Sequence, residues 1–170
     1  MQIAVNIISI QIAWAACAYG AIAGLPIIGV LGCMMALGLG VALSSQRDTL
    51  IYLSVLLGLY GLATESILAS SGVIRYGAQG PFSEIAPVWI VTLWMAFSVL
   101  IFPAFKWFIG RPIAASVLGG TMAPFSYLAA DRLGALRLSE PVLAFFAIAV
   151  IWAVALPLAI HARTLLTRRQ

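Results

Sequence analysis

An ionisable side chain inside an apolar run is the group most able to do chemistry in this sequence. Glu65, in Leu59-Tyr60-Gly61-Leu62-Ala63-Thr64-Glu65-Ser66-Ile67-Leu68-Ala69, is the plainest case. A charge at the centre of a bilayer costs about 3 kcal/mol on insertion scales, so something must compensate it. The carboxylate reads in two ways. It is either a proton- or cation-binding group or general acid/base, or a structural carboxyl held by Tyr127 or paired with Arg132. Gly58 and Gly61 share its helical stripe, which turns the carboxylate toward protein. A second polar stripe runs through Ser116, Gly120, Pro124, Tyr127 and Asp131, each three or four residues from the last. Tyr127 can donate to a carboxylate or to a ligand. Asp131 and Arg132 fall near the end of their run, where a charge can snorkel to the interface. Gln11 shares a face with Trp14. Glu65, Tyr127, Asp131, Arg132 and Gln11 are therefore the candidate ligand-binding residues, and none carries a catalytic signature.

Other chemistries lack their residues. His161 is the only histidine, which removes the usual clusters for zinc or haem, and Cys17 and Cys33 have no CxxC partner and read as small core residues. There is no phosphate loop, nucleophile elbow or HExxH sequence, and no metal or cofactor is expected. Hydrophobic residues make up 64% of the 170 and charged residues 8%, far outside soluble composition. The formal net charge of +4 then reads as a topology signal and not as a nucleic-acid footprint.

Those side chains must be positioned by membrane helices. Hydropathy and punctuation predict one all-α domain over residues 1–170, a polytopic bundle of six transmembrane helices at about 3–19, 26–43, 50–70, 88–107, 112–134 and 141–160, the fourth reaching 107 if Pro103 only kinks it and otherwise ending at about Ile101. The first span lacks a basic n-region and reads as uncleaved. Residues 72–87 and 135–140 read as loops, the former with Gly and Pro punctuation. Six spans place Arg47, Lys106, Arg111, Arg163, Arg168 and Arg169 on one side and Arg75, Arg132 and Arg137 on the other. The positive-inside rule makes both termini cytoplasmic. Glu65 and Tyr127 then lie about 22 Å into their spans, at one depth, so they are expected to meet and to make spans three and five neighbours. Pro124 frees a carbonyl one turn earlier, and a kink or hydrated spot is expected near Gly120. Gly29 to Ala36 echoes Ser116 to Ala123, which would make spans two and five counterparts in an inverted three-plus-three repeat.

The run Pro124-Phe125-Ser126-Tyr127-Leu128-Ala129 with Leu133-Gly134-Ala135, Gln11 with Trp14, an acidic residue late in span three, and Pro87-Val88-Trp89 together resemble domain of unknown function 2878. Glu65 stands where that family more often has Asp, and Ala123 and Ala130 where Gly is common. The resemblance implies a small multi-pass protein of the bacterial inner membrane and supplies no activity. Three functions stay open: a small transporter or lipid-handling carrier with an extracytoplasmic polar pocket around Glu65, a non-catalytic partner or assembly subunit, and a membrane enzyme acting on an amphiphile. The expected partners are the lipid bilayer and a small amphiphilic or cationic ligand. A homo- or hetero-oligomer is compatible with the sequence, and nucleic acid is not expected.

Overall fold

Apolar runs bounded by proline and glycine punctuate the chain, and the helices follow them. In the computed structural model, which describes residues 2–167, α1 covers Gln2–Ile22, α2 Pro26–Leu43, α3 Arg47–Ser70, α4 Val88–Ile101, α5 Pro112–Leu133 and α6 Pro141–Thr167. Proline opens α2, α5 and α6, at a position where its missing N–H has no intrahelical acceptor to satisfy. All but α4 are long and apolar enough to cross a membrane. Their outer faces carry residues such as Met35, Ile113 and Val142, at least 72% exposed, as hydrocarbon-facing residues should be. The chain is a membrane-embedded all-α bundle. Arg168 and Arg169, part of the expected basic tail, lie outside the described residues.

The helices pack as three hairpins, α1 with α2, α3 with α4 and α5 with α6. Helix α4 is the hub, against α1, α2, α3 and α6. It stops at Ile101, short of the limit near 107 expected from hydropathy, and is followed by a 3-10 turn at Lys106–Phe108. Pro103 is the cause, since it cannot donate to the carbonyl of Val99. That orphaned carbonyl is taken by the buried Asn6, whose Nδ2 donates to it at 2.8 Å and ties α1 to the end of α4. Arg163 serves the same end, its guanidinium donating to the Ile101 carbonyl at 3.2 Å. Helix α6 accordingly continues to Thr167, past the expected limit at 160.

Two three-residue strands occupy segments read from sequence as irregular. β1 (Ile74–Tyr76) follows α3 and β2 (Leu136–Leu138) follows α5, paired antiparallel with Ile74 opposite Leu138, Arg75 opposite Arg137 and Tyr76 opposite Leu136. Each helix reaches its strand through a left-handed glycine, Gly72 at φ 72° and Gly134 at φ 83°, which reverses the chain without a Cβ clash. In both strands the outer residues are buried and the central arginine is exposed.

The two units share one plan, a helix that passes through a left-handed glycine into a short strand. Shifted by the 62 residues that separate Glu65 from Tyr127, α3–β1 aligns on α5–β2 without a gap. Ser54-Val55-Leu56 then matches Ser116-Val117-Leu118, Gly58 matches Gly120, Gly72 matches Gly134, and Arg75 matches Arg137. The antiparallel register is symmetric about the Arg75–Arg137 pair, the one pair separated by that same shift. The correspondence therefore joins α3 to α5, two helices that each lead into a strand of one sheet. It differs from the α2–α5 echo expected from sequence, because α2 leads into no strand.

Candidate functional site

Glu65 is wholly buried, at 0% exposure. The glycines on its stripe explain what covers it. A Cβ on Gly61 would fall inside the indole of Trp94, and one on Gly58 would lie 2.6 Å from Cγ of Met95. Without side chains there, α4 approaches α3 closely enough for Trp94 Nε1 to donate to Glu65 Oε1 at 2.7 Å. The Tyr127 hydroxyl donates to the same oxygen and the Tyr76 hydroxyl to Oε2. Burial, and then the facing carboxylate, push the Tyr76 phenol well above the usual tyrosine range, so it keeps the proton it donates to Glu65. One carboxyl thus gathers α3, α4, α5 and β1. All three donors are neutral, and charge-free donors suit a group held away from water.

In the aligned units Glu65 and Tyr127 fall at the same position, acceptor in one and donor in the other. Their helices do not pack side by side as expected; α3 lies on α4 and α6, and α5 on α6, so the long tyrosine side chain spans the gap. The tight face of α5 overlaps the polar stripe at Gly120, Pro124 and Tyr127 and is extended by Gly119. Gly119 abuts the Trp152 backbone and Gly120 the Ala149 carbonyl, both on α6, while Ser116 is only half-buried. The helix continues through Pro124 to Leu133.

Beside this cluster a groove of about 530 Å³ separates α1 from α5, floored by α4 and closed behind by α6. Its wall is aromatic, with Trp14, Trp89, Trp94, Phe97, Tyr127 and Trp152. Trp94 and Trp152 stack at 4.2 Å. The indole N–H of Trp152 is buried beside Tyr127, with no acceptor in full hydrogen-bond geometry among the described residues. Gln11, Met122 and Ser126 are exposed at the mouth, where α1 and α5 scarcely touch. Gln11 and Met122 each lie roughly 15 Å along their helices, which puts the mouth at mid-membrane depth. Cys17 also lines the groove, with its sulfur 3.4 Å from that of Cys33. Glu65 does not line it, because Trp94 and Tyr127 stand between.

The five predicted residues are thus divided among three places. Glu65 and Tyr127 meet; Gln11 is at the groove mouth; Asp131 is half-buried, its Oδ1 accepting the Leu138 N–H at 3.0 Å, and so fixes β2 to α5; Arg132 is exposed. Trp94 and Tyr76 were not among the residues singled out from the sequence, and Tyr76 falls in the segment 72–87 read as a loop. The glycine stripe ending at Glu65 was the available signal, since such a stripe implies a bulky partner. For Tyr76 the signal was the alternation Ile74, Arg75, Tyr76, apolar, charged and aromatic at the strand period. Among the described residues no group of three or more His, Cys, Asp or Glu could hold a metal ion.

The chain belongs to the family described as protein of unknown function (DUF2878), whose model matches residues 3–158. Comparison with curated proteins and with solved structures gives no match.

Proposed function

We propose that this protein is a lipid-handling membrane protein that holds the apolar chain of an amphiphile in the groove between α1 and α5. It spans the bacterial inner membrane six times with both termini cytoplasmic. The observation that carries this reading is the groove itself, whose volume lies in the range of small-ligand sites and whose mouth opens at the depth of lipid tails. Aromatic walls offer a chain large contact area and little side-chain entropy to lose. In this reading Glu65 builds the wall and does not touch the ligand: both its oxygens are engaged, by Tyr76, Trp94 and Tyr127. A general-base role has no support from the geometry, since two aromatic side chains separate the carboxylate from the groove.

Ser126, exposed at the mouth, is the position at which to test it. Ser126→Trp should close the entrance without touching the buried cluster, and should reduce the lipid retained by purified protein, read by native mass spectrometry, at least tenfold while leaving the unfolding midpoint unchanged. Equal lipid occupancy in wild type and Ser126→Trp would sink the proposal.

A further inference from the structure

A second, open hollow lies at the end of the bundle where α3 and α5 finish, bounded by Arg75, Tyr76, Asp131, Leu136 and Arg137. It meets the groove at Leu136, which lines both. Its floor is the two-stranded sheet, on whose outer face Arg75 and Arg137 stand directly opposite each other. Directly opposed residues on a sheet bring their Cβ atoms to about 5 Å, where like charges repel. Both arginines are exposed, and the carboxylate nearest in the hollow, Asp131, has one oxygen engaged by the Leu138 N–H. The arrangement costs stability in the isolated protein, yet it occurs at one of the few positions at which the two aligned units are identical. Two guanidiniums rooted at opposed positions on one sheet face are within reach of a common ligand, and a tetrahedral oxyanion is the group that can accept from both.

We infer that Arg75 and Arg137 together form a binding site for the phosphate head of the lipid whose chain occupies the groove. This rests on the lipid-handling reading and gives it a ligand class, an amphiphile with an anionic phosphate head. Leu136 marks the passage from head to chain: apolar toward the groove, and one residue from Arg137 on the outer face. Arg132, exposed at the last turn of α5, adds a cation at the same end of the bundle. Phosphate at the strand pair would replace a repulsion with charge-assisted hydrogen bonds, so binding there would also tighten the link between α3 and α5.

The test uses the full chain in neutral-detergent micelles with three probes: dioleoyl phosphatidic acid, dioleoylglycerol with the same chains and no phosphate, and inorganic phosphate. Wild type should bind phosphatidic acid at least tenfold more tightly than dioleoylglycerol, and inorganic phosphate more weakly than either. Arg75→Gln with Arg137→Gln should bring phosphatidic acid down to the dioleoylglycerol level and leave dioleoylglycerol unchanged. The double Arg→Lys variant should retain part of the preference. With the like-charge pair relieved, the thermal midpoint of the double Gln variant should stay level or rise, so lost binding cannot be ascribed to misfolding. Equal binding of the two lipids, or a preference indifferent to both arginines, would overturn the phosphate site while leaving the groove reading in place. Failure of both lipids to bind would overturn the groove reading and the headgroup site with it. Inorganic phosphate binding as tightly as phosphatidic acid and unaffected by Ser126→Trp would assign the arginines to a soluble anion and overturn the lipid headgroup.

Discussion

Glu65 shows how a residue can be costly and necessary without touching a ligand. Three donors from three different elements converge on it, and no cation is among them. Hydrogen bonds between membrane helices average about 0.6 kcal/mol in double-mutant cycles, so the cluster contributes about 2 kcal/mol in total. Glu65→Ala should therefore lower stability by about 2 kcal/mol or more, as it also leaves a void and three unpaired donors. Glu65→Gln should cost about half as much, because it keeps an acceptor but turns an N–H₂ toward one of the donors. Denaturant titration in mixed micelles, followed by tryptophan fluorescence, reads both, and Trp94 itself reports on the loss of its partner. Identical midpoints for wild type, Gln and Ala would show that the carboxyl holds nothing together. The sequence disclosed the acceptor and one donor, because a carboxylate within an apolar run and a tyrosine at the same depth are both visible in one dimension. Trp94 was hidden because indoles are common in membrane helices for unrelated reasons, chiefly at interfaces.

At the scale of elements, the helices were legible wherever a long apolar run met a proline or glycine, as at Pro26, Pro112 and Gly134. Strands of three residues were not, since period-two alternation needs more length to stand out from noise. At α4 two ends were legible: hydropathy continues through Phe102, Phe105 and Phe108, while Pro103 removes the hydrogen bond that continuation requires, and the helix takes the nearer end at Ile101. The glycines make a sharper statement, because two of them on outwardly similar helices should respond oppositely to one substitution. A Cβ at Gly38 meets nothing within 4 Å, so Gly38→Ala should be neutral or raise stability by up to about 1 kcal/mol through reduced freedom of the unfolded chain. At Gly61 the same methyl displaces the Trp94 indole from Glu65, and overpacking of this kind costs roughly 1–3 kcal/mol. Unfolding midpoints of the two variants measured side by side decide the matter. Equal effects at the two sites would mean that α3 and α4 are not in the contact described.

Across the whole molecule the cations divide between the two ends of the bundle, and the division carries both the orientation and the lipid proposal. Lys106, Arg111 and Arg163 gather where α4 ends, with Arg111 stacked over Trp107 at 4.1 Å and Arg163 over Phe102 at 4.8 Å. Such aromatic-basic pairs suit a headgroup boundary and complete the crossing of α4, whose 14 residues span only about 21 Å of a hydrocarbon core of about 30 Å. The opposite end holds Arg75, Arg132 and Arg137, which the positive-inside rule would disfavour in an external loop unless they have a task there. On this account both termini are cytoplasmic and the strand pair is outside. Alkaline-phosphatase fusions placed after residue 79 and after residue 139 should be active, and fusions after residue 46 and at the C-terminus inactive. Arg75→Gln with Arg137→Gln should leave that pattern unchanged, since removing external cations only strengthens the existing bias, whereas Lys106→Glu with Arg111→Glu should weaken it. An active C-terminal fusion would place the paired arginines in the cytoplasm. There ordinary topology would explain them, and the case for a headgroup site would rest on their opposed geometry alone.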